Sequence, residues 1–188
     1  MDKHTFHILD LLEVSELNLI KGIILSHVQC LVGSHIQSLE QYHSYASEDD
    51  HALMSPKSSR VLNALDSNRI ISLNGIKLLK NYIPNFKFGP VINSSTDIEN
   101  RPQVYFRLVR PQRESDVGTP HCDFWFDIAQ MTNFGKGRLW KVWIPIVIEP
   151  GLNGLLFYPE IPCEAQFTLE KDAGGNCYPR ISSPIEEI

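Results

Sequence analysis

His121-Cys122-Asp123-Phe124-Trp125-Phe126-Asp127, entered through the turn-prone Gly118-Thr119-Pro120, is the stretch on which the fold of this chain turns. Its run of aromatic residues predicts a strand, in which successive side chains point to opposite faces. His121 and Asp123 then share one face, and Cys122 and Phe124 share the other. A neighbouring imidazole and carboxylate supply two of the three positions in the 2-His-1-carboxylate arrangement, which holds Fe(II) and leaves open sites for co-substrate and dioxygen. An H-x-D triplet recurs by chance, and a strand histidine is more often a hydrogen-bonded core or surface residue. The surroundings must therefore decide.

Outward from the triplet, β character continues. Residues 104–110 (Val-Tyr-Phe-Arg-Leu-Val-Arg), 141–148, 155–158 and 166–170 read as further strands. Upstream the pattern is helical. Leu17, Ile20, Ile24, Val28 and Leu31 recur at steps of three and four, which marks one face of a helix. Gly33 could end it, and Ser34 with Gln37 three residues on is a capping pattern that could open a second, so either one bent helix or two successive ones would serve to about Tyr42. His27, His35 and His43, eight residues apart, drift around such a helix and read as polar-face residues. The acidic run Ser47-Glu48-Asp49-Asp50 reads as a solvated loop or face. Ser55-Pro56 should open a short helix through Val61, Leu62 and Leu65. Residues 68–83 mix periods around Gly75 and predict a strand turning into a helix.

Helices first and strands afterwards predict an α+β fold in a single domain, 1–188, mainly helical over 1–90 and mainly β over 91–188. Length permits one domain with a sizeable core. The composition is 43% hydrophobic and 21% charged with a formal net charge of -5, an ordinary globular balance. A mildly acidic chain without a basic patch predicts no nucleic-acid partner. No apolar run approaches the ~20 residues that cross a bilayer, and the N-terminus is unlike a signal peptide. Cys30, Cys122, Cys163 and Cys177 form no C-x-x-C pair and read as reduced thiols, which predicts a cytoplasmic protein.

The order of the β half adds a family likeness. His121-x-Asp123, then the apolar Lys141-Val142-Trp143-Ile144-Pro145-Ile146, then Asn153-Gly154-Leu155-Leu156-Phe157-Tyr158-Pro159, resembles the phytanoyl-CoA dioxygenase-like branch of the 2-oxoglutarate and Fe(II)-dependent oxygenases. The likeness runs from about Tyr105 to Pro159. It implies N-terminal helices packed on a double-stranded β-helix, or jelly roll, with His121 and Asp123 as catalytic residues and ligands of Fe(II). It also implies 2-oxoglutarate as co-substrate, whose oxidative decarboxylation drives hydroxylation of a small-molecule substrate.

The family places a second histidine and a co-substrate arginine further along. Here the seven histidines are His4, His7, His27, His35, His43, His51 and His121, so none follows the triplet, and only Arg138 and Arg180 follow it among arginines. Where the family often continues into Pro-Gly-Ser-His, this chain has Pro159-Glu160-Ile161-Pro162. A carboxylate suits the planar, bidentate guanidinium. Arg107, with Tyr105 and Val109 on its strand face, is the preferred co-substrate ligand over Arg110 on the opposite face, and Arg180 stands nearest the family's position. Trp143 could wall the co-substrate pocket, although a tryptophan in an apolar strand is more often core.

Five strands are fewer than the eight of a full jelly roll. The expected roll is therefore either complete through strands near Ile70 or Val91, or incomplete at its C-terminus, with unpaired edges open to self-association. The alternative function is a catalytically inactive jelly-roll binding module for a small ligand or a partner chain.

Overall fold

Val28 lies wholly removed from solvent near the C-terminal end of α1, the nineteen-residue helix Val14–Val32. The computed structural model describes residues 9–89, 102–116, 140–148, 167–171 and 177–181. The chain divides into two compact units. One comprises Ile8–Arg113 with Pro145–Gly154, and the other Met1–His7, Glu114–Ile144 and Leu155–Ile188.

The first unit is helical because its apolar residues recur at helical spacing and its polar residues cap. Along α1, Ile20, Ile23, Ile24 and Val28 are buried, as the three-and-four spacing predicts. Leu31 is 45% exposed, since the helix ends one residue later at Val32, ahead of Gly33, whose φ of 130° no side-chain-bearing residue adopts readily. The expected second helix at Ser34 does not form. Instead the Gln29 side chain donates to the Ile36 carbonyl at 2.7 Å, folding residues 34–39 back along α1 and burying Ile36 and Leu39.

The acidic run expected as a loop or bare face begins a helix. After α2 (Tyr42–Tyr45), α3 spans Glu48–Met54 and packs against α1. Ser47 caps it: its hydroxyl accepts from the Asp50 N–H at 3.1 Å, and the Asp50 carboxylate accepts from the Ser47 N–H at 2.9 Å. Three acids in the first turn also face the positive end of the helix dipole.

Ser55-Pro56 leads into a 3-10 turn, Lys57–Arg60, and the helix proper, α4 (Ala64–Ile71), is capped by the Asn63 side chain accepting from the Asp66 N–H at 2.9 Å. The strand expected after Asn68 is helical instead. α4 is followed by α5 (Asn74–Lys77) and a 3-10 turn, Leu78–Asn81, with Ile70, Ile76 and Leu79 in the core. Gly75 explains the turn of chain here. A Cβ at Gly75 would lie 2.2 Å from the carbonyl oxygen of Leu11, so only glycine lets the two backbones approach.

Of the expected strands, residues 166–170 come closest to an observed one. β1 (Phe167–Lys171) pairs antiparallel with β2 (Cys177–Ile181), Phe167 opposite Ile181 and Lys171 opposite Cys177. Residues 104–110 join the helical unit through a single antiparallel bridge, Val61 to Tyr105. Residues 140–148 carry no regular secondary structure, and Trp140, Val142, Trp143 and Ile148 are exposed. The expected strands at 121–127 and 155–158 lie outside the described residues. Among the described residues no helix is long and apolar enough to cross a membrane.

Candidate functional site

Two backbone hydrogen bonds and one to a serine hydroxyl fix the segment that carries the candidate arginines. Leu62 N–H donates to the Val104 carbonyl at 2.9 Å, and Phe106 N–H donates to the Arg60 carbonyl at 3.0 Å, one on each side of the Val61 to Tyr105 bridge. Val104 N–H donates in turn to the hydroxyl of Ser67, which is fully buried and itself donates to the Leu62 carbonyl, each at 3.2 Å. A buried hydroxyl satisfied both as donor and acceptor locks this register. Phe106, in the middle, is buried and meets the ring of His27 edge-on at 5.6 Å.

On this frame sit four arginines in two environments. Arg110, 7% exposed, donates to one Glu48 oxygen at 2.9 Å, and Arg113 reaches the other at 3.1 Å. The hydrogen bond from Arg110, reinforced by both positive charges, holds the Glu48 carboxyl below the usual carboxylate range. This cluster ties the start of α3 to the turn at residues 110–113, where Gln112 adopts a φ of 58°.

Arg60 and Arg107 form the second group. Arg60 lies with its guanidinium carbon 5.1 Å from the centre of the Tyr105 ring, within cation–π range, and its Nη2 donates to the Ser55 carbonyl at 2.8 Å. The Nε atoms of both arginines are withdrawn from solvent. Burial, with the like charge of Arg107 added, pushes the Arg60 guanidinium below its ordinary range, while Tyr105 opposes the shift. An arginine stays protonated regardless.

Three histidines of the helical unit, His27, His35 and His51, are engaged elsewhere. His27 Nε2 meets the Ser59 carbonyl at 2.8 Å, His35 Nε2 meets Asp50 at 3.0 Å, and His51 Nδ1 meets the Tyr42 hydroxyl at 3.2 Å. Among the described residues no group of three or more His, Cys, Asp or Glu side chains is placed to hold a metal ion.

Of the residues singled out in the sequence, His121 and Asp123 lie outside the described residues. Arg107 is half-buried on the segment fixed above, Trp143 is 41% exposed, and Arg180 lies on β2 opposite Thr168. Arg60 had no signal in the sequence: nothing near it in the chain shows that Tyr105 and Arg107 come to meet it. No family model, no curated protein and no solved structure matches this chain.

Proposed function

We propose that this chain is a non-haem Fe(II) and 2-oxoglutarate-dependent oxygenase that hydroxylates a small organic substrate. The observation that carries the proposal is the ordered set His121-x-Asp123, Trp143 in its apolar stretch, and Asn153-Gly154-x-Leu156. As a donor set, one neutral imidazole and one carboxylate suit a ferrous ion and leave room around it. When bound, the ion and its co-substrate supply the oxidising power for C–H hydroxylation. His121 and Asp123 would hold the metal, and Arg180 would neutralise the distal carboxylate of 2-oxoglutarate and orient it. The remaining metal position falls to water or to a histidine of the N-terminal segment.

The test is an anaerobic titration of the purified full chain with Fe(II) and 2-oxoglutarate, read by the visible absorption of the metal-chelated co-substrate. The band is expected in the wild type and is lost in His121→Ala and in Asp123→Ala; its further loss in His4→Ala or His7→Ala identifies the third ligand. A folded wild-type protein that gives no band refutes the proposal and leaves the jelly-roll binding module in its place.

A further inference from the structure

We infer that Ser55 is a phosphorylation site, modified by a protein kinase that accepts proline after its target residue, and that Arg60 receives the phosphate. Ser55-Pro56 stands exposed between the end of α3 and the 3-10 turn Lys57–Arg60. A proline there lacks an N–H and has a fixed φ, features that a kinase cleft can select. The chain holds two further hydroxyl-proline pairs, Thr119-Pro120 and Ser183-Pro184, both outside the described residues. What distinguishes Ser55 is the cation beside it. Arg60 Nη2 donates to the Ser55 carbonyl at 2.8 Å, and the Ser55 hydroxyl lies on the same residue, a few covalent bonds away. Among the described residues Arg60 meets no carboxylate within ion-pair distance, whereas Arg69 meets Asp66, and Arg110 and Arg113 share Glu48.

In the modifying step the Ser55 hydroxyl oxygen bonds to the γ-phosphorus of ATP and the bond from that phosphorus to the β,γ-bridging oxygen breaks. ADP leaves, and the hydroxyl proton passes to a base of the kinase. Ser55 lies at φ -66° and ψ -40°, a helical conformation disfavoured before proline, which lowers the cost of opening the end of α3 into a kinase cleft. The free hydroxyl donates to the His51 carbonyl at 3.2 Å, a bond that the ester oxygen cannot make. The phosphate brings three acceptor oxygens and a charge of about -1.5 to -2 at pH 7. Two effects then oppose each other. The carbonyl end of α3 repels the phosphate with the equivalent of about half a charge. The Arg60 guanidinium attracts it with a full charge and a planar fork, through charge-assisted hydrogen bonds. Arg60 prevails, since it already reaches Ser55 and is supported by the Tyr105 ring at 5.1 Å, so little side-chain freedom is left to lose.

Two experiments on the full chain test the inference. Incubation with a proline-directed protein kinase and ATP should place phosphate on Ser55, located by peptide mass mapping, and Ser55→Ala should lose that label. The full chain carrying phosphoserine at position 55, incorporated during translation, is then titrated with pH and followed by phosphorus NMR. Beside Arg60 the second phosphate pKa should fall by ~0.5 or more below the ~6 of free phosphoserine, a preference for the dianion of ~3-fold or more. Arg60→Gln should return it to ~6 or above, where the α3 carbonyls act alone. Arg60→Lys, which keeps the charge and loses the fork, should fall between, and Arg69→Gln should leave the value as in wild type. If Arg60→Gln does not fold, Arg60→Lys carries the comparison. The inference is overturned if the kinase leaves Ser55 of the folded wild-type chain unmodified. It is equally overturned if the phosphate pKa stands at or above that of free phosphoserine, or is unchanged in a folded Arg60 variant.

Discussion

Replacing Gly75 by alanine should destabilise the helical unit, although alanine is the better helix former. The added Cβ would stand 2.2 Å from the Leu11 carbonyl oxygen, 2.8 Å from its carbon and 2.9 Å from a methyl of Leu12. The nearest two are backbone atoms, which cannot swing aside as a side chain would. Relief requires residues 11 and 12 to move by roughly 1 Å, at the cost of ~1–3 kcal/mol typical of overpacking. The same movement pulls on Glu16, whose carboxylate accepts from both the Gly75 N–H at 3.2 Å and the Glu13 N–H at 3.1 Å, joining α5 to the start of α1. Against this stands a helix-propensity gain of at most ~1 kcal/mol. The internal control is Gly22, exposed on α1 with nothing within 4 Å of its would-be Cβ. There alanine should stabilise by ~0.5–1 kcal/mol. Urea unfolding followed by the helical circular dichroism signal separates the two, because with a slope of ~1–3 kcal/mol per molar the midpoints should move in opposite directions. A Gly75→Ala midpoint at or above the wild-type value, with Gly22→Ala raised as expected, would refute the close approach.

Other consequences are as direct. Ile36 is fully buried and Leu65 is 72% exposed, so Ile36→Ala should cost ~2–5 kcal/mol and Leu65→Ala no more than ~0.5 kcal/mol in the same titration. The Glu48 carboxyl is held below its ordinary 4.5 by Arg110 and Arg113, so its contribution is present above that value and is lost as pH falls through the depressed folded one. The melting temperature of Glu48→Gln should therefore depend less steeply on pH than that of wild type between about pH 5 and pH 3. Equal slopes would contradict the ion pairs.

How much of this was legible in the sequence depends on the range of the interaction. The buried face of α1 could be read from Ile20, Ile24 and Val28 because periodicity is a local property. The helix at Glu48–Met54 was equally local, yet its Ser47 and Asp50 capping pair hid inside what looked like a charge run. At Ser34 the reverse occurred: a capping pattern was present without an apolar helical run behind it, and Gln29 took the chain elsewhere. Residues 68–83 read as part strand because Ile70, Ile71 and Leu73 are good strand formers, but the Asn63 cap and the packing of Gly75 on Leu11 decided for helix. The candidate iron pair rests on sequence order, since His121 and Asp123 lie outside the described residues.

The arginines show where local pattern runs out. Alternation along residues 104–110 would place Arg107 and Arg110 on different faces, and apolar neighbours two residues away favoured Arg107 as the inward one. Arg110 is the more deeply buried of the two. Its burial follows from Glu48, distant in sequence, because a guanidinium leaves water readily only where a carboxylate waits for it. Among the described residues no carboxylate waits for Arg60, which is nonetheless half withdrawn from solvent and stacked on Tyr105.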